Sequence, residues 1–400
     1  MAFFRNRSVN LLNIHYGIFA LVLSGGGAFY GVYLLRAGVS APGVLTALAA
    51  ITLCRFAFRP AIPFLAARFG LKPLVIVGTL ICACQYLVLT QVHGVGWPLA
   101  ALILVSSIGD TFYWTTYHAY FASVGDDHHR GHQISAREAL AQVVGIVGPL
   151  VTGWMLTVYG PLVAFGASSV TMACAALPFL GTPNVKVAKS VPGAFRAARP
   201  GILLFMTDGW IASGYYMAWQ ISLFVTLHEN FNAYGGAMAL AAVVGAGAGM
   251  LLGRLIDAGH GSRAVILSVA IYAATIALRA TSQGHILVAI IANACGAFVT
   301  CLYQPTLMTP VYNLAKAAPC TLRFHVATEG GWDIGASAGC LVAAALMSLG
   351  APISVGVALS LIGVIAAFVL LTRYYASQAA PGMDAAVGGC LLYTSPSPRD

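Results

Sequence analysis

The chain has 400 residues, of which 59% are hydrophobic and 8% charged. Its mean hydropathy is +0.85. A water-soluble domain carries about 25% charged residues, so composition excludes an ordinary soluble fold. The net charge of +9 sits in short segments between apolar runs and forms no stripe, which argues against a nucleic-acid partner.

A bilayer core about 30 Å thick needs about 20 apolar residues per helical crossing. Apolar runs of that length predict helices near 11–35, 41–64, 73–91, 98–121, 136–158 and 162–181. Six more follow near 201–227, 235–256, 264–282, 286–312, 325–349 and 353–374. The runs do not alternate with period two, which excludes a membrane β-barrel. Gly94 to Pro98, Gly160-Pro161 and Gly350 to Pro352 punctuate the boundaries. The expected class is therefore an all-α integral membrane protein with twelve transmembrane helices in two six-helix bundles. The expected division is residues 8–181, a cytoplasmic linker 182–200, residues 201–376, and a tail 377–400. Residues 388–400 are polar and Pro-rich and resemble translated vector sequence; the alternative is a native tail.

Orientation follows from the positive charges. One set of interhelical segments holds Arg5, Arg7, Arg68, Lys72, Arg130, Lys186, Lys189, Arg196, Arg199, Arg263, Lys316, Arg323 and Arg373. The opposite set holds Arg36 and, at the edge of a crossing, Arg279. The first set is expected to be cytoplasmic, with both termini on that side. Arg-rich, Lys-poor usage hints at a GC-rich bacterium, hence its inner (plasma) membrane. The first apolar run is too long for a cleaved signal peptide.

No Gly-Lys-Ser/Thr phosphate loop or HExxH occurs, so neither ATP hydrolysis nor an enzyme activity is expected, and no cofactor. Most of the nine Cys lie inside apolar runs and read as small buried hydrophobes. The run Asp126-Asp127-His128-His129-Arg130-Gly131-His132 lies between two crossings and reads as a solvated loop rather than a metal site.

The halves echo each other. Arg137-Glu138 opens the fifth crossing and Thr328-Glu329 the eleventh; Gly148 and Gly339 each follow the Glu by ten residues. Leu150-Val151 matches Leu341-Val342, and Gly109 and Gly296 lie at similar depths. Such a pattern suggests parallel repeats about an axis along the membrane normal. Between the eighth and ninth crossings stands Gly253-Arg254-Leu255-Ile256-Asp257, followed by Arg263. Between the second and third, Arg68, Gly70 and Lys72 persist, but Pro63 and Ala67 replace the Gly and Asp. The fifth crossing carries Gly145-Ile146-Val147-Gly148-Pro149-Leu150-Val151-Thr152-Gly153.

These motifs resemble those of the major facilitator superfamily over about residues 8–376. The resemblance implies a monomeric secondary transporter that moves a small organic molecule by alternating access. Proton coupling is expected, and the Gly-Pro motif slightly favours export. Val105 near the place where proton-coupled drug exporters of the family carry an Arg weighs against drug–proton antiport. Facilitative or proton-symport uptake, and a transporter-like sensor without flux, remain open. The first-half loop copy is degraded, so no strong ionic latch is expected there.

Ionisable residues at membrane depth are functional candidates. Asp110 and Asp208 lie in the fourth and seventh crossings, which line the cavity in the resembled family. Asp110 reads as proton carrier, partner of a substrate cation, or partner of Arg55. Arg55 and Arg59 share one face of the second crossing, Glu329 and Asp333 one face of the eleventh. Pairing between these sets is expected as a cytoplasmic gate or as a static bridge. Ser24, Gly25, Tyr113, Tyr117, Tyr216, Trp219 and Gln304 are the expected cavity lining, suited to a ring-bearing molecule.

Overall fold

The computed structural model describes residues 6–124, 130–256, 261–378 and 391–392. In chain order the long helices are α1 (Arg7–Arg36), α2 (Ala41–Phe58), α3 (Leu71–Leu89), α4 (Trp97–Val124), α5 (Arg130–Val158) and α6 (Pro161–Gly181). Then come α7 (Arg199–Thr226), α8 (Phe231–Ile256), α9 (Gly261–Thr281), α10 (Ile286–Ala317), α11 (Thr321–Ser348) and α12 (Ile353–Ser377). Among the described residues, nine of these are long and apolar enough to cross a bilayer; α4, α5 and α7 match them in length. Large side chains such as Phe64, Leu162, Val170, Leu287 and Ile365 stand exposed around the outside, as lipid requires.

Local chemistry sets the helix ends. The Asn6, Ser40 and Asn230 side chains accept from the N–H groups of Val9, Gly43 and Ala233 and cap α1, α2 and α8. Gly160 and Gly350 turn with φ of 81° and 97°, a region L side chains rarely enter. The second apolar run was expected to continue to residue 64. It breaks instead before Pro60, which has no N–H to extend the ladder, and restarts as a short helix Ala61–Phe69. Arg59 is thereby left at the C-terminal end of α2.

Among the described residues, two helices carry π-turns, Leu23–Gly27 in α1 and Ser213–Ala218 in α7. Each starts at or next to a Ser-Gly pair. Each packs against the Gly that the sequence repeat pairs: a Cβ on Gly148 of α5 would lie 2.5 Å from Ser24 Oγ, and one on Gly339 of α11 would overlap Ser213 Oγ. The neighbouring glycines meet matching partners too, Gly26 the Ser168 hydroxyl and Gly214 the Ser360 hydroxyl. The two halves thus reuse one packing solution.

Gly331, Gly335 and Gly339 form a stripe with period four on α11. Their missing side chains admit the Ile202 and Met206 carbonyls and Ser213 of α7. Between halves, α2 packs on α11 and α5 on α8. Gly235 of α8 meets the Pro149 carbonyl, and Gly153 of α5 lies where a Cβ would come 2.7 Å from the Phe231 carbonyl.

The 182–198 segment lies at the end where α1 begins. Lys186–Val187 pairs antiparallel with Leu391–Leu392, within the stretch the sequence set apart as foreign. Arg323 of α11 donates to the Ala188 and Lys189 carbonyls at 3.0 and 2.8 Å. Lys72 Nζ donates to the Leu180 and Thr182 carbonyls, capping α6. Gly70 leaves room for the Asn184 side chain. Arg68 is exposed over the Phe69 ring. The first-half loop signature therefore ties helix ends to the linker. In the second copy, Asp257 lies outside the described residues, as do the side chains of Arg254 and Arg263 that follow and flank Gly253. So do most of the Asp126–His132 run and the side chain of Glu138.

At the far end the halves meet through Arg36 and Glu229, 3.2 Å apart, and through Phe29 against Tyr234. The Tyr234 hydroxyl donates to the Ala28 carbonyl at 3.1 Å. Glu229 reaches Arg36 from a strained link: His228 and Glu229 have φ of 55° and 53°. Left-handed backbone costs a non-Gly residue about 1–2 kcal/mol, more than an exposed ion pair returns. Glu229→Gly is accordingly expected to raise stability by about 0.5–1 kcal/mol in a detergent melt. A lower melting point would show that the pair outweighs the strain.

Candidate functional site between the halves

Six in-membrane charges come to one place because α2 and α11 are packed side by side. Arg59 Nε pairs with Asp333 Oδ2, and Arg55 Nε lies 3.2 Å from Asp333 Oδ1. Glu329 Oε2 lies 3.4 Å from Arg59 Nη2 and 3.8 Å from Arg55 Nη2. Arg55 Nη1 reaches Asp110 Oδ2 on α4 at 3.6 Å. Arg59 Nη1 donates to the Thr115 hydroxyl at 2.7 Å. Arg55 also lies over the Trp332 ring at 5.4 Å, and Trp332 Nε1 donates to Asp208 Oδ2 of α7 at 3.1 Å. One cluster thus joins α2, α4, α7 and α11 and includes all six gating or proton candidates.

Burial grades this cluster. The Asp333 side chain is 0% exposed and that of Arg59 2%. That of Asp110 is 25% exposed, and its other oxygen faces the Cys82 thiol at 3.8 Å. Three carboxylates, those of Asp110, Glu329 and Asp333, face two guanidiniums, and Asp208 joins them through Trp332, so the cluster holds more carboxylates than cations.

His118 of α4 stacks on Trp114 and faces His325 of α11, ring centres 6.1 Å apart. His325 lies one turn from Glu329, so His118 approaches the cluster through α11 rather than along its own helix.

The expected lining residues separate into two groups. Tyr216 is 38% exposed on α7. It lies near Thr300 of α10 and within electrostatic reach of Asp208. Gln304, one turn beyond Thr300, is half-buried. These form a polar wall between α7 and α10. The other five are spent on packing. Tyr113 stacks on Phe19 and pairs with the buried His15 Nε2 at 2.9 Å, while His15 Nδ1 meets the Ala175 carbonyl at 2.6 Å. Tyr117 is buried against Tyr16 and His15. Trp219 Nε1 donates to Asn293 Oδ1 at 3.0 Å. Ser24 donates to the Val144 carbonyl at 3.1 Å, and Gly25 lies against Thr152 and Gly148. Small residues and buried aromatics at these positions serve close helix approach.

Sequence reasoning did not assign Trp332, Thr115, His15 or Arg279 to these contacts. Trp332 stands inside the Glu329–Asp333 turn, which was the available signal. A cavity of about 480 Å³ opens at the far end of the second half, lined by Leu227, His228, Asn230, Ala233, Leu240 and Ile290 among others. It includes none of the cluster.

The fold is shared with solved transporters. A variant of the nucleoside transporter NupG superposes with a TM-score of 0.65 at 12% identity, over 92% of this chain and 99% of that one. A POT family transporter in complex with 5-aminolevulinic acid gives 0.69 at 9% identity, over 93% and 96%. Among curated proteins, multidrug resistance protein MdtH of Klebsiella pneumoniae (strain 342) is 27% identical over 174 residues. That match covers 42% of this chain and 42% of MdtH, so the chain spans less than half the length of that relative. The sequence profile of the Major Facilitator Superfamily matches residues 10–319. Given that match over more than half its length, the chain belongs to the Major Facilitator Superfamily, a multi-pass membrane protein of a transporter family.

Proposed function

We propose that this protein is a proton-coupled secondary transporter that carries a small organic solute by alternating access, with export favoured. The observation that carries the reading is the cross-half cluster with its surplus of carboxylates. Residues 8–181 and 201–376 would move as the two halves about the linker 182–200. The Arg55–Arg59 and Glu329–Asp333 bridge closes the linker end and parts when the site opens there. Asp110, the more accessible carboxylate, is the proton carrier, exchanging its proton as Arg55 shifts between it and Asp333. The positive-charge bias supports a cytoplasmic linker end with both termini on that side, and the Arg-rich, Lys-poor usage supports an inner membrane. The partial likeness to a multidrug resistance protein supports export. The solute meets the Tyr216, Thr300 and Gln304 wall, which suits a planar ring; the functional unit is a monomer.

Asp110→Asn tests the coupling. In proteoliposomes with ethidium as the probe, the variant is expected to lose accumulation driven by a pH gradient while retaining ethidium exchange. Normal concentration of ethidium by the variant would remove Asp110 as the proton site. The charge count, and not a general loss of fold, is at issue, so exchange serves as the internal control.

A further inference from the structure

Arg279 counts, by sequence, with the sparse positive charges at the non-cytoplasmic edge of its crossing. Its side chain instead turns inward and is buried at 4% exposure. Nη1 donates to the Tyr215 carbonyl at 2.7 Å and Nε to the Ala292 carbonyl at 3.4 Å. The guanidinium lies 3.9 Å from the Tyr215 ring centre and 4.8 Å from that of Trp219. Gly296 of α10 makes the seat, because a Cβ there would overlap Nη2. Among the described residues, no Asp or Glu forms an ion pair with it. A buried cation covered by carbonyls and ring faces, with no carboxylate, is expensive at membrane depth.

The contact falls inside the π-turn of α7. There the Trp219 N–H reaches back to the Gly214 carbonyl, past that of Tyr215, and Arg279 takes the Tyr215 carbonyl. The Tyr215 hydroxyl donates to the Gly296 carbonyl at 3.2 Å. Trp219 is held by Asn293, whose Nδ2 donates to the Ala237 carbonyl of α8 at 3.0 Å. The result sorts two adjacent tyrosines. Tyr215 is 1% exposed against the guanidinium; Tyr216 is 38% exposed, with Thr300 and Asp208 nearby.

We propose that Arg279 is a positioning residue: by clamping Tyr215 and the π-turn of α7, it presents Tyr216 to the solute path. This rests on the reading of the α7/α10 wall as part of that path. Arg279 itself touches no solute. It acts from α9, outside the wall, by fixing which face α7 shows.

Two readouts separate this from general destabilisation, and neither needs transport. The first places Tyr216→Cys or Tyr215→Cys in a chain with its nine native cysteines changed to serine. A membrane-impermeant maleimide is then applied to proteoliposomes. Arg279→Met should slow labelling at 216 by about tenfold, the scale of one lost charged hydrogen bond, and raise it at 215. Arg279→Lys, which keeps a cation and a donor, should restore most of the parent pattern. Equal labelling of position 216 in Arg279→Met and parent would overturn the proposal. The second readout, in the native-cysteine chain, is the emission of Trp219, taken as the difference between parent and Trp219→Phe. Arg279→Met should shift that emission and Arg279→Lys should recover it; an unshifted difference spectrum would equally overturn the clamp. Ethidium flux then reports on the path: a raised KM in Arg279→Met with little change in Vmax is expected. A changed labelling pattern with unchanged KM would retain the clamp and reject the wall.

Discussion

Asp333→Asn is expected to give the largest functional loss of any single substitution at the charge cluster. Its carboxylate faces the Nε of both Arg55 and Arg59 and has no access to water. The amide keeps the shape but leaves two buried guanidiniums short of one countercharge, with Glu329 and Asp110 at longer range. Removing one partner of a buried pair costs about 3–5 kcal/mol. The closed linker end should therefore open more readily, and ethidium accumulation should fall to background in proteoliposomes. Glu329→Gln should do less, because that carboxylate is longer-ranged and 13% exposed. The charge-swapped pair Arg59→Glu with Asp333→Arg should recover part of the flux lost in each single variant. Wild-type accumulation by Asp333→Asn would show that the bridge does not govern the cycle.

Gly335→Ala should give the largest loss of stability. A Cβ at that position would overlap the Met206 carbonyl and come 2.9 Å from the Trp210 N–H. Both are backbone atoms of α7, so no side chain can swing aside. Overpacking costs about 1–3 kcal/mol even where side chains yield, and more where a helix must move. The variant should melt well below the parent in detergent and separate α7 from α11. Gly166→Ala is the matched control, since nothing lies within 4 Å of its Cβ site and no change is expected. Equal melting of both variants would mean that the α7/α11 contact is looser than described.

Hydropathy and punctuation made the helices legible, because a bilayer demands about 20 apolar residues and satisfied backbone at every crossing. The break of α2 was written in Pro60, yet the apolar run continued through it and concealed it. The four carboxylates and two arginines were also legible, since charge in an apolar run stands out. Their mutual distances depend on how α2 meets α11, which no local pattern encodes. The aromatic residues misled for a related reason. Tyr113, Tyr117 and Trp219 share the composition of Tyr216, and only packing tells a ring held by His15 or Asn293 from one left facing Thr300. Arg279 stayed hidden because an arginine near a helix end usually snorkels outward. Its inward turn needs the space left by Gly296 on the neighbouring helix, and that glycine read as a marker of the repeat rather than as a seat.

Each π-turn adds one residue to its helix, and a residue is worth about 100° of rotation. The wider turn absorbs that residue, so the helix beyond it keeps the face it would show without the insertion. Straightening α1 to an ordinary ladder with every residue kept would instead swing everything through Arg36 to a new azimuth: Tyr30 would leave Ser106, now 3.0 Å away, and Arg36 would point away from Glu229. A relative of equal length without the bulge would therefore present a different set of side chains beyond it while aligning with this chain without a gap, so that transferring residue roles between such relatives by column would be off by more than a quarter of a turn.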